Sequence, residues 1–323
     1  MSLPRVLLTR RWPAAVEARL AESFDLVRNP TDRPMDTEAF RAAFREFDAV
    51  LPTVTDRLVP AAFEVEAPRT RILANYGVGY SHIDTGAARR LGIVVTNTPD
   101  VLSECTADLA MTLMLMVARR AGEGEREVRS GRWTGWRPTH MVGAKVSGRV
   151  LGIVGFGRIG QAMAQRAHHG FGMKVLVFNR SPVAGEVLAR FGAEQVASLD
   201  ALLPACDFVS LHCPGGAANR HLIDARRLDL MKPDAFLINT ARGEVVDEYA
   251  LAQALAFGSI GGAALDVFER EPTIPEALLG CDNLVLLPHL GSATKETREG
   301  MGFRVVENLA DFFAGRAPRD RVA

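Results

Sequence analysis

Between Val150 and His289 the chain passes through a series of short segments that are almost wholly apolar. They are "VLGIVGFG" (150–157), "KVLVFN" (174–179), "DFVSLHC" (207–213), "AFLINTA" (235–241), "GGAALDVF" (261–268) and "NLVLLPH" (283–289). A strand with one wet face alternates apolar and polar residues; a strand covered on both faces has no such need. Each run ends in a Gly, Pro or Asn break and is followed by an amphipathic helical stretch. That alternation predicts parallel strands joined by crossover helices, a doubly wound α/β sheet. Upstream, "RVLLT" (5–9), "DAVLPTV" (48–54), "RILANYG" (71–77) and "IVVTNT" (93–98) predict a second, smaller sheet of the same kind. A chain of 323 residues has room for both cores.

The turn "NTPDVLSE" (97–104), with a helix N-cap expected at Ser103, marks the boundary between them. It places one domain at 1–98 and the other at 99–289. A long helical segment is expected near 103–130. A last helix, about 294–314, is expected to bring residues 290–323 back to the first domain. The apolar run "LAMTLMLMVA" (109–118) is half a membrane span and reads as a buried helix. Lys and Arg (38) balance Asp and Glu (38), so no net field calls for nucleic acid or an anionic membrane. Cys105, Cys206, Cys213 and Cys281 are widely spaced, which argues against a zinc site or a disulfide framework and for a reducing compartment, the cytoplasm.

In "VLGIVGFGRIGQAMAQRA" (150–167), Gly155, Gly157 and Gly160 form GxGxxG between a strand and a helix, the setting in which that spacing means a dinucleotide site. The first glycine permits the tight turn, the second lets backbone amides approach a pyrophosphate, and the third lets the helix pack on the sheet. Phe156, Arg158 and Ile159 lie in the same turn, with Arg158 placed to lay its cation against phosphates. About twenty residues on, where an acid would bind the ribose diol of NAD, stand Asn179, Arg180 and Ser181. An amide, a guanidinium and a hydroxyl suit a 2′-phosphate instead, which favours NADP(H), with NAD(H) as the alternative.

The other strand ends carry His212, Cys213 and Pro214, then Thr240, Ala241 and Arg242, then Glu271, then His289. Ligands of open α/β sheets bind at the carboxyl ends of the strands. Taken singly, Arg242 reads as a structural ion pair, Glu271 as a loop acid and His289 as a quiet turn residue. Together beside a dinucleotide they have a shared chemistry, the reduction of a 2-keto acid. Arg242 suits a planar carboxylate, and His289 can protonate the carbonyl oxygen as hydride reaches carbon. Glu271 would orient the ring and favour the imidazolium.

"VLGIVGFGRIGQAMA", "LINTARGEVVDEYAL", "ALDVFEREP", "LPHLGSAT" and "NYGVGYSHID" (75–84) resemble the D-2-hydroxyacid dehydrogenase family, and within it the glyoxylate/hydroxypyruvate reductases. The resemblance extends over nearly the whole chain. It implies a Rossmann cofactor domain inserted in a smaller flavodoxin-like substrate domain. It also implies a catalytic set of Arg242, Glu271 and His289, and a substrate carboxylate held by the amides of Val78 and Gly79. Gly291 and Ser292 would line the site beside His289. Thr106, Cys213, Thr240 and Asp266 would contact the cofactor, with Asp266 near the nicotinamide amide. Two departures stand out: Asn179 replaces the acid of NAD-specific members, and "CPGGAANRHLI" (213–223) has glycines and alanines where many relatives carry a proline–threonine stretch.

Relatives dimerise through the region of "RSGRWTGWRPTHMVG" (129–143), so Trp133 and Trp136 are expected at a homodimer contact, with Trp136 reaching toward the partner's site. Two other readings remain open at this point. One is an NAD-linked dehydrogenase of a bulkier acid, such as phosphoglycerate or an aromatic lactate; the other is a non-catalytic dinucleotide sensor. His82, His140, His168, His169 and His221 have no metal-like spacing and read as ordinary surface or packing histidines.

Overall fold

The computed structural model describes residues 3–323. The chain forms two compact units, one running through Leu102 and resuming at Ala293–Ala323, the other made of Ser103–Ser292. Both are parallel α/β sheets with helical crossovers.

The first unit contains β1 (Arg5–Leu8), β2 (Asp25–Arg28), β3 (Ala49–Leu51), β4 (Ile72–Ala74) and β5 (Val94–Thr96). Their order, β2-β1-β3-β4-β5, is the flavodoxin-like one. β3 and β4 are buried throughout, as their unbroken apolar sequences require. β2 escapes the apolar pattern. Its sequence "DLVR" is exposed at both ends, which an edge strand tolerates because only one flank is paired.

The second unit contains β6 (Val150–Val154), β7 (Lys174–Phe178), β8 (Ala193–Gln195), β9 (Phe208–Leu211), β10 (Phe236–Asn239), β11 (Gly262–Leu265) and β12 (Leu284–Leu286). The order β12-β11-β10-β9-β6-β7-β8 is the Rossmann arrangement extended by one strand. Strand order reverses between β6 and β9, which makes their carboxyl ends the switch point where such sheets bind ligands. β8, another polar edge strand, is also missing from the apolar pattern.

The helix expected across 103–130 is two helices, Ser103–Ala118 and Ala121–Arg129, separated by Arg120 in a left-handed conformation (φ 52°). The first of them begins at Ser103 itself and packs its apolar length against β10, β11 and the helix Arg158–Gln165. No helix among the described residues is long and apolar enough to cross a membrane.

The last helix, Lys295–Phe313, starts with Thr294 accepting from the Thr297 amide and belongs to the first unit. It lies against the helix Ala14–Ser23 so closely that a Cβ on Gly302 would sit 2.5 Å from Val16. Beyond it, Asp320 bonds both Arg304 and Asn308, and the amides of Val322 and Ala323 reach the Val95 carbonyl. The chain end therefore covers the β5 edge. The units part at Leu102 and Ser292 rather than at 98 and 289, because Leu290 and Gly291 are bonded to Asp266 of the second unit.

Gly302→Val should overpack the two helices and cost about 1–3 kcal/mol. Thermal unfolding followed by circular dichroism should show a lower midpoint; an unchanged one would mean the helices can separate freely.

Candidate active site

Gly155 follows β6 with φ 94°, in the left-handed region, and a Cβ there would lie 2.7 Å from the Cys213 nitrogen and 2.9 Å from the His212 carbonyl carbon. Only hydrogen fits between these two strand ends. A Cβ on Gly160 would come within 2.2 Å of the Gly155 carbonyl oxygen, so the helix Arg158–Gln165 is pressed against the same turn. Gly157 faces open space, and no side chain caps this helix. Uncapped amides beside open volume, at a switch point, fit the pyrophosphate of a dinucleotide. Phe156 is buried in the core, Ile159 is half-buried and Arg158 is exposed.

Asn179 spends its amide locally: Oδ1 accepts from the Phe156 amide at 3.1 Å and Nδ2 donates to the Ser181 carbonyl at 2.9 Å. Its side chain ties the glycine turn to the turn after β7. Arg180 and Ser181 stand exposed beside it, and Arg180 makes no ion pair among the described residues.

At the end of β9, Ser210 Oγ is 2.9 Å from His212 Nε2, while His212 Nδ1 is buried with no partner among the described residues. Burial lowers the His212 pKa to about 4, so this imidazole is neutral. Burial also pushes the Cys213 thiol up to about 11. Pro214 is exposed, and Gly215 lies against Arg242, where a Cβ would be 2.9 Å from Cγ. The Gly216 amide donates to Glu244 Oε1 at 3.0 Å. Of the two glycines of "CPGGAANRHLI", Gly215 therefore admits the Arg242 stem, while a Cβ on Gly216 would meet open space. After β10, Thr240 Oγ1 is a buried hydroxyl without a partner among the described residues, and the buried Ala241 donates its amide to Asn239 Oδ1.

Arg242 is largely buried, its Nη1 bonded to the Ala241 carbonyl at 2.6 Å. Burial lowers its pKa, opposed by Glu244 and Glu271; a guanidinium stays charged regardless. Glu271 accepts from the Phe268 amide through Oε1 and faces His289 Nδ1 through Oε2 at 2.9 Å. Burial pushes the Glu271 carboxyl up, but the His289 bond and charge, the Phe268 amide and Arg242 outweigh it and leave the pKa lowered.

His289 itself has φ 55°, and its amide donates to the Asp266 carbonyl at 2.9 Å. The Asp266 carboxylate takes the amides of Leu290 at 2.6 Å and Gly291 at 2.8 Å, and Thr106 Oγ1 donates to the Gly291 carbonyl at 3.0 Å. In this structure Asp266 thus works as a clamp on the loop that carries His289. Ser292 closes the second unit, half-buried. Within the first unit, Asn75 Nδ2 donates to the carbonyls of Gly77 and Gly79, and Asn97 Nδ2 to that of Val78. The loop bearing Val78 and Gly79 is held by amide side chains.

Residues 111–291 match the model of the D-isomer specific 2-hydroxyacid dehydrogenase family, NAD binding domain. The chain belongs to this family. The dehydrogenase is 46% identical over 319 residues to a glyoxylate reductase of Thermococcus onnurineus, covering 98% of this chain and 94% of the relative. With a glyoxylate reductase of Thermococcus litoralis it shares 46% identity over 328 residues, covering 99% and 96%. Among solved structures, it superposes with a TM-score of 0.88 on the NADPH-dependent glyoxylate/hydroxypyruvate reductase of Sinorhizobium meliloti in complex with NADP and malonate. That pair is 37% identical, over 100% of this chain and 97% of the other. The protein is an NAD(P)-dependent oxidoreductase, and its second unit binds a nicotinamide dinucleotide.

Several residues of the dehydrogenase's site carry no sequence signal on their own. Gly243 is one: a Cβ there would lie 1.9 Å from the Phe268 carbonyl carbon, so the Arg242 turn sits flush on the Glu271 loop. Glu244, Glu248, Glu269 and His221 surround that contact and read in the sequence as surface residues. The remaining histidines are local: His82 bonds Asn75, His140 pairs with Glu127, His168 bonds the Met173 carbonyl and His169 that of Arg190.

The low pKa of His212 sets a pH dependence. An unfolded histidine titrates near 6.5, so the unfolded chain takes up this proton before the folded enzyme does. Stability should fall as pH drops from about 6.5 toward 4, by on the order of 3 kcal/mol from this group. Glu271, with its pKa lowered, contributes stability above the unfolded carboxyl value and loses it only at still lower pH. Urea unfolding across pH 4–7 should show a flatter profile for His212→Gln than for wild type; equal slopes would refute the assignment.

Proposed function

We propose that this dehydrogenase reduces small 2-keto acids, glyoxylate and hydroxypyruvate, to glycolate and D-glycerate, with NADPH preferred. The observation that carries the reading is the 2.9 Å pairing of His289 Nδ1 with Glu271 Oε2, within the electrostatic reach of half-buried Arg242. Nδ1 is engaged by the carboxylate, which leaves Nε2 as the nitrogen for substrate. Nε2 donates a proton to the carbonyl oxygen in reduction and accepts it back from the hydroxyl in oxidation. Glu271 orients the ring and balances its charge. Arg242 offers a rigid fork to the keto-acid carboxylate in a site dry enough to strengthen that bond. The bound dinucleotide supplies the hydride. The Gly155–Gly160 turn would hold its phosphates, while Thr240 would contribute a hydroxyl that has no partner among the described residues.

The relatives named glyoxylate reductase support the substrate class, and the neighbour solved with NADP supports the cofactor. No carboxylate stands at 179–181, and Arg180 and Ser181 are exposed where a 2′-phosphate would lie. A dinucleotide sensor would have no use for a paired imidazole and carboxylate beside a half-buried guanidinium. The four cysteines are free thiols, in keeping with the cytoplasm. A homodimer is part of the proposal: Trp136 is 82% and Trp133 54% exposed on the segment after the helix Ala121–Arg129, with Val128 and Val142 exposed nearby.

Initial rates with glyoxylate, hydroxypyruvate and pyruvate, each with NADPH and NADH, test the function. His289→Gln should cut kcat by about 10²–10⁴-fold while leaving cofactor affinity nearly unchanged. A preference for NADH would overturn the role of Arg180, and the absence of turnover with every keto acid would favour the sensor. Trp136→Ala should weaken dimerisation or alter the preference among keto acids, read by sedimentation and by the same kinetics; neither change would dismiss its role.

A further inference from the structure

One buried carboxylate lies beneath the catalytic loop and takes no part in the chemistry. Glu248 opens the helix Glu248–Phe257, just after the N-cap Asp247, and is only 5% exposed. Its Oε1 accepts from the Glu269 backbone amide at 2.7 Å. Two residues further on is Glu271. The Glu269 side chain is held from the other side, where Arg220 donates to one oxygen and His221 Nε2 lies 3.2 Å from the other. His221 is in turn seated by its own amide on the Glu244 carbonyl at 2.7 Å and by Asp247, 3.7 Å from Nδ1. Three loops, after β9, β10 and β11, therefore meet at residue 269.

We propose that Glu248 is a positioning residue of the reduction, anchoring the Glu269 backbone so that Glu271 meets His289 and the adjoining turn presents Arg242. The proposal rests on the reading of Glu271, His289 and Arg242 given above. The mechanical link is short. With the Gly243 position flush against the Phe268–Glu269 backbone, a shift of residue 269 displaces the Arg242 turn as well as Glu271. An acceptor at Glu248 is what this requires; a negative charge is not, because the donor is a neutral amide.

Glu248→Ala should lower kcat for glyoxylate reduction at least tenfold, with the NADPH Kd changed less than twofold, and Glu248→Gln should restore most of the loss through its amide oxygen. Arg220→Ala, on an exposed side chain, should lower kcat two- to fivefold without moving the thermal midpoint, and it decides the matter if the alanine variant does not fold. A readout independent of turnover is the ¹⁵N spectrum of histidine-labelled enzyme, with His289 assigned by its loss in His289→Gln. The hydrogen-bonded Nδ1 resonance of His289 should move in Glu248→Ala and return in Glu248→Gln. Wild-type kcat together with an unmoved His289 resonance in Glu248→Ala and Arg220→Ala would overturn the positioning role. A moved resonance in an enzyme that turns over no 2-keto acid would uphold it and overturn the proposed activity instead.

Discussion

The site hangs from Asp266. One residue after β11, its two carboxylate oxygens take the amides of Leu290 and Gly291, and its carbonyl takes that of His289. Three bonds from one residue hold His289 at φ 55°, a conformation a non-glycine residue keeps only when its surroundings impose it. Burial pushes the Asp266 pKa up, while the two amides and His289 work against that shift. Thr106 fixes the Gly291 carbonyl from the neighbouring helix. With its backbone pinned in this way, His289 has Nδ1 turned to Glu271.

The same site depends on backbone approaching backbone. Gly155 lets the β6 turn touch the end of β9, Gly160 lets the following helix touch that turn, and Gly243 lets the Arg242 turn touch the Glu271 loop. Each contact lies where a methyl group would overlap main-chain atoms, which do not yield as flexible side chains do. A sheet of parallel strands delivers its loops to one edge. These glycines let the loops crowd there closely enough for an arginine, a glutamate and a histidine from three strands to share one charge environment.

Much of this is legible in the sequence alone. The all-apolar runs mark every strand that is covered on both faces, and the glycine spacing marks the switch point, because burial and close approach leave few residue types that fit. β2 and β8 were invisible for the complementary reason: edge strands tolerate polar residues, so their sequences look like loops. The break at Arg120 was invisible as well, since arginine is an ordinary helix former and carries no sign of a left-handed turn. Asn179 stood at the ribose-reading position, yet its amide is occupied in joining two turns. Residue type indicates what a side chain could bond, while its neighbours determine what it does bond.

The linear sequence by itself determined two parallel sheets, a dinucleotide turn, and the residue types for a keto-acid reduction, because apolar patterning, glycine spacing and side-chain chemistry are local properties. The tertiary structure alone decided that His289 faces Glu271, that Asp266 takes the amides of Leu290 and Gly291, and that Glu248, Glu269 and His221 gather under the Glu271 loop. Those outcomes depend on distances between residues tens of positions apart. Such distances are set only when the strands pair in one order and register, and no local pattern encodes them.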